Sequence, residues 1–168
     1  MKNLLGLFAL LLAFNNHAAE TEHESIDSII TTFENSIREK NKSEFLNLFL
    51  DPTAPMIAVV SEFNMPYRRA AVEKYNKEHN KNLALTRSFQ MTPEKLIDMS
   101  LKRDAVSREE LSNIIVNTDG NIASVYFDYV YYVGDRKNKW GEESWQLVQT
   151  MSGWKISSVI YSVTNPVK

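Results

Sequence analysis

The sequence predicts an α+β fold, with helices first and an antiparallel sheet last. Three observations carry this. Apolar residues near the start recur at helical spacing. From Glu109 onward the chain turns to β-branched and aromatic runs. Short turn signals separate those runs, as in a meander packed against helices on one face.

Residues 1–19 read as a secretory leader. Lys2 supplies the positive start, and Leu4 to Phe14 is an eleven-residue apolar run, too short for a stable membrane anchor. Asn15, Asn16 and His17 break the run, and Ala18-Ala19 offers small residues for cleavage. A periplasmic or secreted location follows, with residues 20–168 as one domain and no membrane insertion once the leader is removed. The sequence shows no repeat, low-complexity tract or linker.

Ile26, Ile29, Ile30, Phe33 and Ile37 form the apolar stripe of an amphipathic helix. Asn41 sits where that helix would end. Ser43 is the expected cap of a second short helix that buries Phe45, Leu46, Phe49 and Leu50. Asp51-Pro52 stops it, and Met56 to Val60 reads as a strand. Residues 61–104 are the least legible. Pro66 to Asn82 is charged and reads as a helix or a flap over the fold. Thr92-Pro93-Glu94 starts a helix whose apolar side is Leu96, Ile97 and Leu101.

The strands then follow as Leu111 to Asn117, Ile122 to Val133, Glu143 to Thr150 and Trp154 to Val163. Asp119-Gly120, Gly134 to Lys139 and Ser152-Gly153 supply the turns. Side chains alternate along a strand. Ala123, Val125, Phe127, Tyr129, Tyr131 and Val133 should therefore face the helices, with Tyr126, Asp128 and Tyr132 on the other side. The same rule assigns Trp145 and Leu147, and Trp154, Ile156, Ser158, Ile160 and Ser162, to the inner side.

Composition excludes several functions. The chain has 168 residues, 43% hydrophobic and 24% charged, with a net charge of −2. No strongly basic surface for nucleic acid is expected. Residues 20–51 hold eight acids and three bases; residues 61–90 hold six bases and three acids. These segments read as solvated helix faces. Cysteine is absent, which removes disulfides, thiol nucleophiles and Cys-held metals. A chain of about 150 mature residues can bury a sufficient core without disulfides.

The opening Ile26…Phe33…Ile37, followed by Lys42-Ser43-Glu44-Phe45-Leu46-Asn47-Leu48-Phe49, resembles that of nuclear transport factor 2-like proteins. The ending is also similar: Asp119-Gly120-Asn121-Ile122-Ala123, Gly141-Glu142-Glu143-Ser144-Trp145-Gln146-Leu147-Val148, Gly153-Trp154-Lys155-Ile156 and Tyr161-Ser162. The order is similar to that of exported members related to polyketide-cyclase-like and ketosteroid-isomerase-like proteins. The resemblance implies a cone, a cystatin-like roll in which a curved sheet wraps helices and leaves a pocket at its wide end.

Enzymes of that superfamily place a base inside the cone, either an Asp with a tyrosine donor or a His–Asp pair. No histidine lies in any expected strand, so the His–Asp version has no candidate. Asp128 and Glu143 are weak catalytic candidates. Asp128 falls on the outer parity, and Glu143 on the inner parity near a strand start, either at a pocket rim or as a surface charge. The aromatic inner face nominates Phe33, Phe127, Tyr129, Tyr131, Trp145 and Ile160 as pocket walls. Glu73, Glu78 and His79 do not stack as helix-borne metal ligands. The glycines are scattered, and neither a metal nor a cofactor is expected. The resulting expectation is a binder of a small apolar or aromatic molecule. Acid–base catalysis and a homodimeric interaction module are the alternatives.

Overall fold

The computed structural model describes residues 26–167. The leader-like residues 1–19 lie outside them. Helix α1 covers 26–38 and buries Ile26, Ile30, Phe33 and Ile37, the stripe seen in the sequence. It ends at Lys40, whose φ is 58°. Helix α2 (Lys42–Asn47) is capped by Asn41, not Ser43: the Asn41 side chain accepts from the Glu44 N–H. The cap falls two residues earlier because the chain re-enters helix directly after the Lys40 turn. Phe45 and Phe49 are buried, whereas Leu50 is exposed.

Strand β1 (Met56–Val60) matches its sequence assignment, with alternate residues buried. A 3₁₀ turn leads into helix α3 (Met65–His79), which buries none of its residues. The charged segment is therefore a helix lying on the surface. Strand β2 (Ser88–Met91), absent from the sequence reading, follows it. Helix α4 (Pro93–Leu101) begins at Thr92, whose hydroxyl accepts from the Lys95 N–H. Its Ile97 is fully buried, while Leu101 is exposed. Lys42 ties α2 to α4 through Asp98 at 2.7 Å. Strands β3 (Ser107–Thr118), β4 (Ile122–Val133), β5 (Arg136–Thr150) and β6 (Gly153–Val163) complete the chain.

The six strands form one sheet in the order β2-β1-β6-β5-β4-β3. The last four are the expected meander. β1 joins them by pairing parallel to β6, and β2 pairs antiparallel to β1. The sheet curves without closing, and the core lies between its inner face and α1, α2 and α4. Phe33 of α1 stands 4.8 Å from Trp145, and Phe127 meets Trp145 edge-on at 4.9 Å.

Bulges interrupt the ladder and allow this curvature. Asn113, at φ 54°, lies in the β3 bulge. Asn138 is the extra residue of β5, and Ser157 that of β6. The last corrects the parity of β6. Trp154 and Ile156 face inward as expected, but beyond Ser157 the inward set becomes Val159, Tyr161 and Val163. Ile160 therefore points outward and is 54% exposed. One inserted residue exchanges the two faces of everything after it.

The curvature brings β5 close to β6 at Gly141. A Cβ there would stand 2.3 Å from the Ser162 carbonyl oxygen, a backbone atom that cannot swing aside. Gly141→Ala is expected to cost about 1–3 kcal/mol by overpacking. Urea unfolding of the variant should show a lower midpoint at unchanged slope.

Candidate functional site

The strand register assembles the inner site. Tyr131 of β4 lies opposite Glu109 of β3 on one side and Lys139 of β5 on the other. Glu143 lies between Phe127 and Tyr161. Because inner residues alternate, these rows stack toward the end of the sheet away from the Trp145 core.

Glu109 and Glu143 are 5% and 4% exposed, which is unusual for carboxyl groups. Glu143 Oε1 accepts from Trp145 Nε1 at 2.7 Å. Glu34 of α1 accepts from the Leu111 N–H at 3.3 Å, and its charge acts on Glu109. Burial, reinforced by the charge of Glu109, pushes the Glu143 carboxyl up to about 8. The Trp145 hydrogen bond and the Lys139 charge act against that rise. Burial also raises Glu109, with Lys139 opposing and Glu34 adding to the shift. Burial likewise holds the Tyr129 and Tyr161 phenols in their neutral form.

Lys139 forms no ion pair among the described residues. Its ammonium instead lies among aromatic rings, 4.8 Å from the Tyr131 centroid, 5.4 Å from Tyr161 and 5.7 Å from Tyr129. Tyr129 donates to the Ser162 carbonyl at 2.8 Å, and Arg103 Nη1 donates to the Tyr131 hydroxyl at 2.8 Å. Arg103 follows α4 and also stands over the Tyr131 ring, at 5.3 Å.

A cavity of about 680 Å³ opens on the far side of this cluster. Phe89 and Met91 of β2, Leu96 of α4 and Val163 of β6 give it apolar walls. Tyr67, Arg68 and Ala71 of α3 cover it. Tyr131, Tyr161, Lys139 and Arg103 line its inner end. Among the described residues no Asp or Glu lines it; Glu109 and Glu143 lie outside the wall.

The sequence candidates separate accordingly. Tyr131 reaches the cavity, whereas Phe33, Phe127, Tyr129 and Trp145 are core residues outside its wall. Ile160 stands on the opposite face, for the reason given above. Asp128 also faces outward, where it accepts from Asn113 Nδ2 at 2.5 Å. Glu143 is neither a rim nor a surface charge. β5 begins seven residues earlier than the sequence suggests, so Glu143 is mid-strand and buried. In α3, His79 stacks on Tyr75, and no metal-holding cluster of three acidic or histidine side chains occurs among the described residues.

Four residues of this region escape the sequence reading: Glu109, Lys139, Arg103 and Tyr161. The first two fall in segments read as loop ends, so parity could not be applied to them. Tyr161 falls outside the inner set that unbroken alternation gives β6, and the Ser157 bulge turns it inward. Arg103 sits in the illegible segment.

No family model matches the sequence, and neither does any curated protein. Solved structures do match. A candidate scytalone dehydratase from Novosphingobium aromaticivorans superposes with a TM-score of 0.62 at 11% identity, over 91% of this chain and 93% of the other. An NTF2-like protein with a cystatin-like fold from the same organism gives a TM-score of 0.58 at 11% identity, over 99% and 94% of the two chains. An NTF2-like protein of unknown function from Shewanella baltica gives 0.57 at 12% identity, over 87% and 96%.

Proposed function

Starting from the nuclear transport factor 2-like fold that this chain has, we propose that it binds a small apolar or aromatic molecule in the cavity beneath α3. The observation that supports this reading is a 680 Å³ cavity with apolar walls on the inner side of the sheet. That volume falls in the range of small-molecule sites. The covering helix α3 buries none of its residues, which suits ligand entry. The leader-like residues 1–19 support a periplasmic or secreted location.

Acid–base catalysis is the second reading, favoured by the raised Glu143 carboxyl. Against it, Glu143 lies outside the cavity wall and its Oε1 is occupied by Trp145. The dehydratase description of one structural neighbour belongs to that protein; 11% identity carries the fold alone.

Thermal unfolding in the presence of naphthalene derivatives and medium-chain alcohols tests the binding reading. A ligand at about 100 times its Kd stabilises by about 2.7 kcal/mol, which is about 5–10 °C for a chain of this size. Leu96→Trp, which fills the cavity from α4, should abolish the shift, as should Ala71→Trp from α3. A panel without any shift, or a shift unchanged in both variants, overturns the reading.

A further inference from the structure

We propose that the ligand carries a carboxylate or similar anionic head, held at the inner end of the cavity by Lys139 and Arg103. This rests on the binding reading above and names the class of molecule bound.

Among the described residues the cavity wall has three cationic side chains, Arg68, Arg103 and Lys139, and no acidic one. Arg68 is engaged with the Thr86 carbonyl and hydroxyl. Arg103 and Lys139 are not ion-paired among the described residues; both converge on the ring of Tyr131, at 5.3 and 4.8 Å. Both are half-buried, so their charges act through poorly solvated surroundings where an anion is attracted more strongly than in water. Arg103 spends one N–H on the Tyr131 hydroxyl and keeps others for a planar acceptor. That hydroxyl accepts from Arg103 and keeps its own proton to donate.

A neighbouring hollow carries charge of the same sign. This hollow, of about 450 Å³, shares Asn138, Asn165 and Pro166 with the cavity and adds Arg136 and Lys137. Positive charge therefore flanks the Lys139 end of the cavity as well as lining it, while the apolar walls receive the body of the ligand. The buried carboxyls of Glu109 and Glu143 oppose this field less than exposed ones would, because burial, with the charge of Glu34 on Glu109 and of Glu109 on Glu143, favours their neutral forms.

The test is calorimetry at pH 7.5 with three probes that share one aromatic body: 2-naphthoate, 2-naphthylmethanol and 2-naphthylmethylamine. The full-length mature protein should bind the acid at least tenfold tighter than the alcohol, and the amine weakest. Lys139→Met should remove the advantage of the acid over the alcohol. Arg103→Met, which lies outside the sheet, should do the same and serves if the first variant folds poorly by circular dichroism. Alcohol binding equal to or tighter than acid overturns the anionic head and leaves the cavity reading standing. So does a preference for the acid that survives both substitutions. Silence from these probes and from the broader panel removes both.

Discussion

Glu143→Gln is expected to make the protein more stable at pH 8–9 and to change it little at pH 4–5. The carboxyl of Glu143 rises from 4.5 to about 8 in the fold. The folded state thus prefers the neutral acid. The stability that comes from burying it is fully present below the unfolded value of 4.5 and is lost as pH rises through about 8. Glutamine mimics the neutral acid at every pH, and its carbonyl can still accept from Trp145 Nε1. At about 1.4 kcal/mol per unit of displacement, the gain above pH 8 is about 3–5 kcal/mol, some of it through relief of Glu109. Urea titrations at pH 4.5 and 8.5 measure it. Parallel pH profiles for the two proteins would show that Glu143 ionises normally.

Trp145→Ala is the other substitution with a large expected effect. Trp145 is fully buried, touches Phe33 and Phe127, and supplies the hydrogen bond that Glu143 accepts. Its removal opens a cavity at the centre of the core and should cost about 3–5 kcal/mol. Trp145→Phe separates the two roles. It keeps most of the packing, loses the N–H, and should cost about 1–3 kcal/mol. Because that N–H favours the ionised carboxylate, the phenylalanine variant should also shift the pH-dependent loss of stability to higher pH. A phenylalanine variant as unstable as the alanine one would assign the whole effect to the hydrogen bond.

The two classes of residue involved explain what could be read in advance. The periodic stripe from Ile26 to Ile37 and the alternation from Ala123 to Tyr131 are enforced by burial of one face, so they survive in the bare sequence. The turns at Gly120 and Gly153 are legible because both have positive φ. The parallel pairing of β1 with β6 joins segments about a hundred residues apart, and no local pattern encodes it. The bulges are equally silent. Ser157 and Ser158 look like two small strand residues, yet the first is an insertion that turns Ile160 outward and Tyr161 inward. In retrospect the run Val159, Tyr161, Val163 is a second apolar alternation, out of phase with Trp154 and Ile156, and the change of phase marks the bulge.

The site was less legible than the core for a related reason. Its walls come from β2, α3, α4 and the ends of β4, β5 and β6, where charged residues dilute the apolar period. Sequence parity selected the largest inner aromatics, and Phe33, Phe127 and Trp145 fill the core. What surrounds the opening is a mixture of modest apolar residues with Lys139 and Arg103, which resembles ordinary surface until the register places it.

An NMR titration of the isotopically labelled protein with 2-naphthoate tests the central claim most directly. Amide shifts should saturate together and concentrate at Arg103, Tyr131, Lys139 and Tyr161 and in α3, with the outer-face residues Tyr126 and Ile160 unmoved. Shifts confined to the outer face, or none at millimolar probe, would contradict a binding cavity beneath α3.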